Sequence, residues 1–366
     1  MKGFAITNIG LEDAALHEVK DILKSEGTKN DGFILFDAKK TADLARFCYL
    51  GRSIIRAGLH IECAKKIEDF KLELDKYLKG SFAVRTHIDD DSIFSSEIEG
   101  DVGAMIKERY PDAKVNLGDP DVLFLVVRSG DEWHLCLDFA GFDLSKRDYK
   151  LFGHRGALNG TVAYALLDFT DRKDYTLLDP FCGAGIICIE AAAKRLNIPL
   201  FKYKKEKFLF RKFKDIDSDE VFSSVEKNIK EDKEAGIFGY DCLLGSVKSA
   251  QKNAKVAGIS KAIYFGRADI DWMDTKFEES SVDCIISQPP CDSHRMDMKK
   301  TMKILNELFY QAEYILKDDG ALFLISRKKE GLLKTAEAKG FSLIKEKQVM
   351  QGQMPLYLLG FAKRIL

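Results

Sequence analysis

From about residue 156 the chain alternates short apolar runs with longer amphipathic stretches. This rhythm restricts the possible folds more than any other feature of the sequence. The runs Tyr175–Asp179, Ile237–Asp241, Ala262–Gly266, Val282–Ser287 and Gly320–Ser326 have the length of strands, and each interval between them can hold a helix. A mostly parallel sheet with helices on both faces satisfies that pattern. Two last runs, near Ser342–Val349 and Pro355–Ala362, are separated by only about five residues. That is too few for a crossover, so they are expected to form an antiparallel hairpin.

The first 145 residues lack this rhythm and read as α+β. Strands are expected at Phe4–Thr7, Gly32–Phe36, Ser53–Ile61, Ser81–Thr86, Val122–Arg128 and Trp133–Phe139, the last two joined by the turn Ser129-Gly130-Asp131. Helices are expected at Leu11–Leu23, Thr41–Cys48, Phe70–Leu78 and Ser95–Arg109. A polar, basic connection over 143–155 leads into the second half. The expected boundaries are 1–60, 61–145 and 146–366.

Bulk charge identifies no partner. Lys and Arg total 57 against 58 Asp and Glu. The balance conceals an acidic first part, about −6 over residues 1–150, and a mildly basic remainder, about +5. No apolar run approaches the ~18–20 residues of a membrane span. The opening MKGFAITNIGLED does not resemble a signal peptide. A cytoplasmic monomer with no membrane contact is therefore expected. The eight cysteines form no C-x-x-C pair and the six histidines are scattered, so no metal site is expected.

The first strand of the second half ends in Asp179-Pro180-Phe181-Cys182-Gly183-Ala184-Gly185 and opens a helix containing Ile189-Glu190. Two glycines one residue apart allow a sharp turn and close approach of a ligand to the backbone. No Gly-Lys-Ser/Thr follows, which excludes a P-loop, and Cys188 interrupts a dinucleotide G-x-G-x-x-G. The second strand ends in Asp241, placed to accept ribose hydroxyls. Asp269 follows the third, where it could accept from an adenine amine. The fourth runs into Ser287-Gln288-Pro289-Pro290-Cys291-Asp292. Either aspartate alone is also a common turn or cap residue. Four polar strand ends on one sheet edge together point to a ligand site.

This order resembles class I S-adenosylmethionine-dependent methyltransferases. Asp179 through Glu190 is similar to the D-P-x-C-G-[ST]-G-x-x-x-[LI]-E signature of RNA guanine-N2 methyltransferases whose catalytic domain follows a THUMP domain, departing at Ala184, where that family has Ser or Thr. Ser81–Thr86, the helix from Ser95, Asn116–Val122 and Leu137–Gly141 resemble a THUMP core. Residues 1–60 resemble the ferredoxin-like domain that precedes it. The resemblance implies a Rossmann-like methyltransferase domain over 146–366, S-adenosyl-L-methionine as cofactor, and Asn159, Asp179, Phe181, Gly183, Gly185, Asp241, Asp269 and Gln288 as its contacts. The substrate it implies is tRNA, methylated on a guanine N2 in the acceptor-stem region, at position 6 in preference to 10. A methyltransferase of another RNA or base, or a non-catalytic RNA-binding paralogue, is the alternative.

The guanine N2 lone pair is delocalised into the ring, so positioning carries most of the work of an in-line transfer. In the family an Asn/Asp-Pro-Pro-Tyr loop supplies acceptors for the amine and an aromatic that stacks on the base. Here Gln288, Pro289, Pro290, Cys291 and Asp292 occupy the catalytic loop. Gln288 keeps a carbonyl, and Cys291 replaces the aromatic, with Trp272 a candidate to stack instead. Lys194–Lys214 holds nine basic residues, one acid and five aromatics: Phe201, Tyr203, Phe208, Phe210 and Phe213. It reads as either an RNA surface or an insertion whose aromatics pack inward. Arg85, Lys204, Lys205, Lys207, Arg211 and Lys212 are the expected RNA contacts.

Overall fold

The computed structural model describes residues 1–88, 94–153, 158–291 and 297–364, which form two compact units. The first comprises residues 1–145 together with 201–228. Its strands are β1 (Lys2–Thr7), β2 (Gly27–Asn30), β3 (Phe33–Asp37), β4 (Ile54–Ala64), β5 (Ser81–His87), β6 (Lys114–Val115), β7 (Val122–Ser129) and β8 (Glu132–Asp138). They make one sheet in the order β2-β3-β1-β4-β8-β7-β5-β6. Strand β4 pairs antiparallel with β1 on one side and with β8 on the other. It therefore carries the sheet across residue 60, and the expected boundary there falls inside a continuous strand. Helices α1 (Glu12–Leu23), α2 (Thr41–Leu50) and α3 (Ser95–Arg109) complete the pattern.

The helix expected at Phe70–Leu78 does not form. Only a short 3₁₀ turn at Ile67–Asp69 is present. The Glu62 carboxylate accepts the N–H groups of Lys71 and Leu72, both at 2.9 Å, and the Tyr110 hydroxyl accepts that of Leu74 at 2.8 Å. Leu72 is left-handed, with φ +53°. Tertiary acceptors have taken donors that a helix would have used internally, and burial of Phe70, Leu72 and Leu74 fixes the extended path.

The second unit comprises residues 146–200 and 229–364 of those described. Its elements begin with α4 (Gly160–Asp168), β9 (Leu177–Asp179) and α5 (Ile186–Arg195). The chain then runs through 201–228, which holds α6 (Ser218–Glu226), and returns as β10 (Ile237–Asp241), α7 (Leu244–Val256), β11 (Ile263–Arg267) and β12 (Val282–Ser287). It ends with α8 (Met298–Ile315), β13 (Leu316–Ser326), α9 (Glu330–Ala338), β14 (Phe341–Gln351) and β15 (Met354–Lys363). The sheet order is β11-β10-β9-β12-β13-β15-β14. The first five strands are parallel, and β14 and β15 form the expected antiparallel hairpin, with β15 paired to β13. Strand direction reverses its connection on either side of β9, so the carboxyl ends of β9, β10 and β12 flank the topological switch.

The segment 201–228 belongs to the first unit, although the sequence places it within the second half. Phe201, Phe208 and Phe210 are buried, and Phe208 packs against Tyr49, Phe142, Phe210 and Phe222. The N–H groups of Leu209 and Phe210 donate to the carbonyls of Ala140 and Phe139. The inward-packing alternative is correct for these three rings. Only Tyr203 of the five aromatics is strongly exposed, at 65%.

The basic connection is anchored by a buried charge pair. Arg147 Nε lies 2.8 Å from Glu190 Oε1 with both side chains fully buried, and the Tyr149 hydroxyl donates to the same oxygen at 2.7 Å. Gly160 makes room for them: a Cβ there would lie 2.3 Å from Arg147 Nε and 2.6 Å from Glu190 Oε1. Arg147→Met should lower stability by roughly 3–5 kcal/mol, because it takes away one partner of a fully buried pair. In urea denaturation the double variant Arg147→Met, Glu190→Leu should lose clearly less than Arg147→Met alone. Equal losses would show that packing, rather than charge pairing, holds the segment.

Candidate functional site

The site in the second unit starts at Asp179, the last residue of β9 and only 1% exposed. Its Oδ1 accepts the N–H of Phe181 at 3.2 Å and the hydroxyl of Ser287, at the end of β12, at 2.5 Å. Burial pushes its pKa up to about 7, and the nearby Asp241 charge adds to the effect. The Gly-rich turn is then fixed from the neighbouring strand. Cys182 N–H donates to Tyr240 O at 2.8 Å, and Gly183 N–H donates to Asp241 Oδ2 at 3.1 Å. The other oxygen of Asp241 accepts from Leu243 N–H at 2.8 Å. Asp269 caps the short 3₁₀ helix Ile270–Thr275 by accepting from Ile270 N–H at 2.7 Å.

The two glycines have different tasks. Gly183, at φ +52°, has nothing within 4 Å of where a Cβ would stand, so its face is open. Gly185, at φ +81°, would place a Cβ 2.9 Å from the Cβ of Ala250 and 3.0 Å from the ring of Phe265. It permits α5 to pack closely, and its N–H is already donated to Cys182 O.

These strand ends enclose a cavity of ≈ 550 Å³. Of the expected residues, Asp179, Phe181, Gly183, Asp241, Asp269, Gln288, Pro289, Pro290 and Cys291 line it. Gly185 and Asn159 do not; Asn159 is the residue before α4, with its N–H donated to the Gln351 side chain. Asp292 lies outside the described residues. Trp272 is 60% exposed and absent from the lining, where Phe181 is the only aromatic among the described residues. The Cys182 thiol also lines the cavity, but burial holds its pKa well above the usual range. It is unsuited to nucleophilic work.

Sequence reasoning missed Ser287 as the partner of Asp179, and Lys303 and Arg327 as lining residues. Arg327 immediately follows β13. The same rule that singled out the other strand ends would have found it. Lys303 sits on α8 and carries no such signal. The arrangement offers carboxylate acceptors, an open backbone turn, a proline-stiffened carbonyl loop and two cations. It can hold a polar, extended ligand against a second reactant.

The first unit has its own concave region of ≈ 900 Å³ between the sheet and the inserted segment. Arg85, Lys207, Arg211 and Lys212 line it together with Arg56 and His87. Lys204 and Lys205 do not line it, and Lys205 pairs with Glu226 at 2.6 Å. Lys212 meets Asp119 at 2.6 Å, and Asp143 and Glu206 also stand in the lining.

Residues 147–356 match the model of an RMKL-like methyltransferase domain, UPF0020, and residues 63–138 match the THUMP domain. The chain is 32% identical to a tRNA (guanine(6)-N2)-methyltransferase of Methanocaldococcus jannaschii, with 94% of this chain and 95% of the relative aligned. It is 26% identical to the protein of the same name from Archaeoglobus fulgidus, over 98% and 91% of the two chains. The crystal structure of SMU.472 complexed with SAH superimposes with a TM-score of 0.83 at 19% identity, covering 100% of this chain and 98% of that one. The last match concerns the fold.

The pKa of Asp179 has a consequence for stability. Its folded value of about 7 lies above the ordinary 3.8, so between these values the folded chain keeps a proton that the unfolded chain releases. The stabilisation is complete below about pH 4 and is lost as pH rises through 7. The melting temperature of Asp179→Asn should therefore fall less steeply than that of the wild type between pH 4 and 7. Parallel melting curves would contradict a protonated Asp179.

Proposed function

The chain belongs to the family that joins a THUMP domain to an RMKL-like methyltransferase domain, and on that premise we propose that it methylates the exocyclic N2 of a guanine in tRNA, using S-adenosyl-L-methionine. The observation that carries this reading is the meeting of Asp241, Asp269, the open face of Gly183 and the Gln288-Pro289-Pro290 loop around one cavity. The names of the two archaeal relatives favour position 6 as the target.

The residues fit the cofactor. Each of the two aspartates uses carboxylate lone pairs on backbone N–H groups and retains others for a ligand. In this reading Asp241 accepts the ribose hydroxyls and Asp269 the adenine amine, while Gly183 admits the ligand close to the backbone. The bound cofactor supplies an electrophilic methyl on a sulfonium. The Gln288 side-chain carbonyl and the Pro289 backbone carbonyl accept the guanine amine hydrogens, which concentrates the nitrogen lone pair toward the methyl. Two consecutive prolines remove two N–H donors from the loop and restrict its φ angles, so its acceptors are held in place before the substrate arrives. Arg85, Lys207, Arg211 and Lys212 would contact tRNA phosphates at the concavity of the first unit.

Unmodified tRNA incubated with the protein and S-adenosylmethionine should yield N2-methylguanosine by nucleoside mass spectrometry. Failure to form any methylguanosine would overturn the reading. Asp241→Asn should weaken cofactor binding in calorimetry by about tenfold or more, because an amide nitrogen cannot accept a hydroxyl. Its affinity for tRNA in filter binding should remain that of the wild type. A matching loss of both would remove Asp241 from the cofactor site.

A further inference from the structure

Far from the strand-end cavity in sequence, β4 and β8 bring two imidazoles and a thiol together. His60 Nε2 and His134 Nδ1 are 3.1 Å apart, and the ligand atoms of His60, Cys63 and His134 all lie within 4.8 Å of one another. His134 is buried, His60 partly so, and Cys63 is exposed. We propose that His60, Cys63 and His134 form a structural binding site for a zinc-like divalent transition metal, which clamps β4 to β8. The proposal is independent of the methyl-transfer reading.

The strand register is the main support. Residues 60 and 63 are three apart, so on a regular strand their side chains would point to opposite faces. Here β4 carries an extra residue between His60 and Glu62: His60 faces Cys136, Glu62 faces Leu135 and Cys63 faces His134. The bulge reverses the alternation and puts both His60 and Cys63 on the His134 face. Bulges of this kind re-aim side chains and recur next to functional sites.

The donor set suits the ion. Two imidazole nitrogens and one thiolate are ligands of borderline-soft metals, zinc above all. Bonds of roughly 2.0–2.3 Å in tetrahedral geometry put ligand atoms about 3.3–3.6 Å apart. The imidazole pair is already near that spacing, and the Cys63 sulfur, within 4.8 Å of both, would have to move closer on binding. Phe33 packs on the His134 ring at 4.8 Å between centroids, which restrains its orientation. The two ring nitrogens share a hydrogen bond, whose proton a bound metal would displace.

The surrounding charges are mixed. Glu132 lies two residues before His134 on the same face of β8, and its charge acts on both Cys63 and His134. Lys2 acts on His60 in the opposite sense. Glu62 is committed to the backbone N–H groups of Lys71 and Leu72. The location gives the site a purpose, because β4–β8 is the seam between the two halves of the eight-stranded sheet.

The test titrates the full-length chain, stripped with chelator and kept reduced, with cobalt(II) and then zinc(II). One equivalent of cobalt should produce visible bands of tetrahedral coordination and a thiolate-to-cobalt charge-transfer band, and zinc should displace it. Zinc should also raise the melting temperature. Cys63→Ser should abolish the charge-transfer band and weaken zinc binding by about 100-fold. His60→Asn should weaken it comparably, which covers the case in which a substitution of buried His134 impairs folding. Cys242→Ser, a change at another exposed thiol, should leave the spectrum intact. The proposal is overturned by the absence of stoichiometric uptake, by survival of the band in Cys63→Ser, or by its loss in Cys242→Ser.

Discussion

The second unit depends on a carboxylate buried at the end of its shortest parallel strand. β9 has three residues, yet it is the strand from which the sheet extends in both directions. Asp179 joins its end to β12 through Ser287 and starts the turn through Phe181 N–H. The turn is held in parallel from β10 by Tyr240 O and Asp241. Burying a carboxylate at this depth is costly, and the raised pKa of Asp179 is that cost expressed as proton affinity. The fold accepts it because no apolar side chain could accept hydrogen bonds from both the turn at Phe181 and Ser287 at the end of β12.

That constraint explains why the ligand site was legible from sequence while its borders were not. Residues at the ends of parallel strands occupy one edge whatever the loops do, so Asp179, Asp241, Asp269 and Gln288 could be placed from strand periodicity alone. Their convergence in one cavity follows from strand order. Residues that depend on how a loop or helix returns have no such rule. Lys303 enters from a helix face, Asn159 turns its N–H to Gln351, and Trp272 stands outside the lining. Gly185 was expected among the cofactor contacts, but it does not line the cavity, and a Cβ there would meet Ala250 and Phe265. A glycine motif alone cannot distinguish close packing from ligand approach.

The first unit shows the opposite balance. Its strands are readable as short apolar runs that end up largely buried, as in β1, β7 and β8, but its long-range partners are not. The apolar spacing of Phe70, Leu72 and Leu74 is as compatible with a buried extended segment as with a helix, and the acceptors that decide it, Glu62 and Tyr110, lie outside the window. The bulge in β4 is equally invisible in composition. One extra residue in the ladder changes which of His60, Ile61, Glu62 and Cys63 share a face. Counting histidines and cysteines along the sequence therefore misses a cluster that register creates.

The lysine-rich insertion shows how charge and packing separate within one segment. Its dense alternation of cations with aromatics resembles a nucleic-acid surface. Burying Phe201, Phe208 and Phe210 is worth roughly 1.5–3 kcal/mol for each ring, which outweighs any gain from leaving them exposed to await a base. Once those rings turn inward, the intervening lysines and arginines are displayed outward as a consequence of backbone geometry. Several then meet acids: Lys205 meets Glu226, and Lys212 meets Asp119. The cationic lining of the concavity is thus interleaved with Asp119, Asp143 and Glu206. Charges arranged in that way discriminate by position more than by total field, which would reconcile a nearly neutral chain with the proposed binding of tRNA.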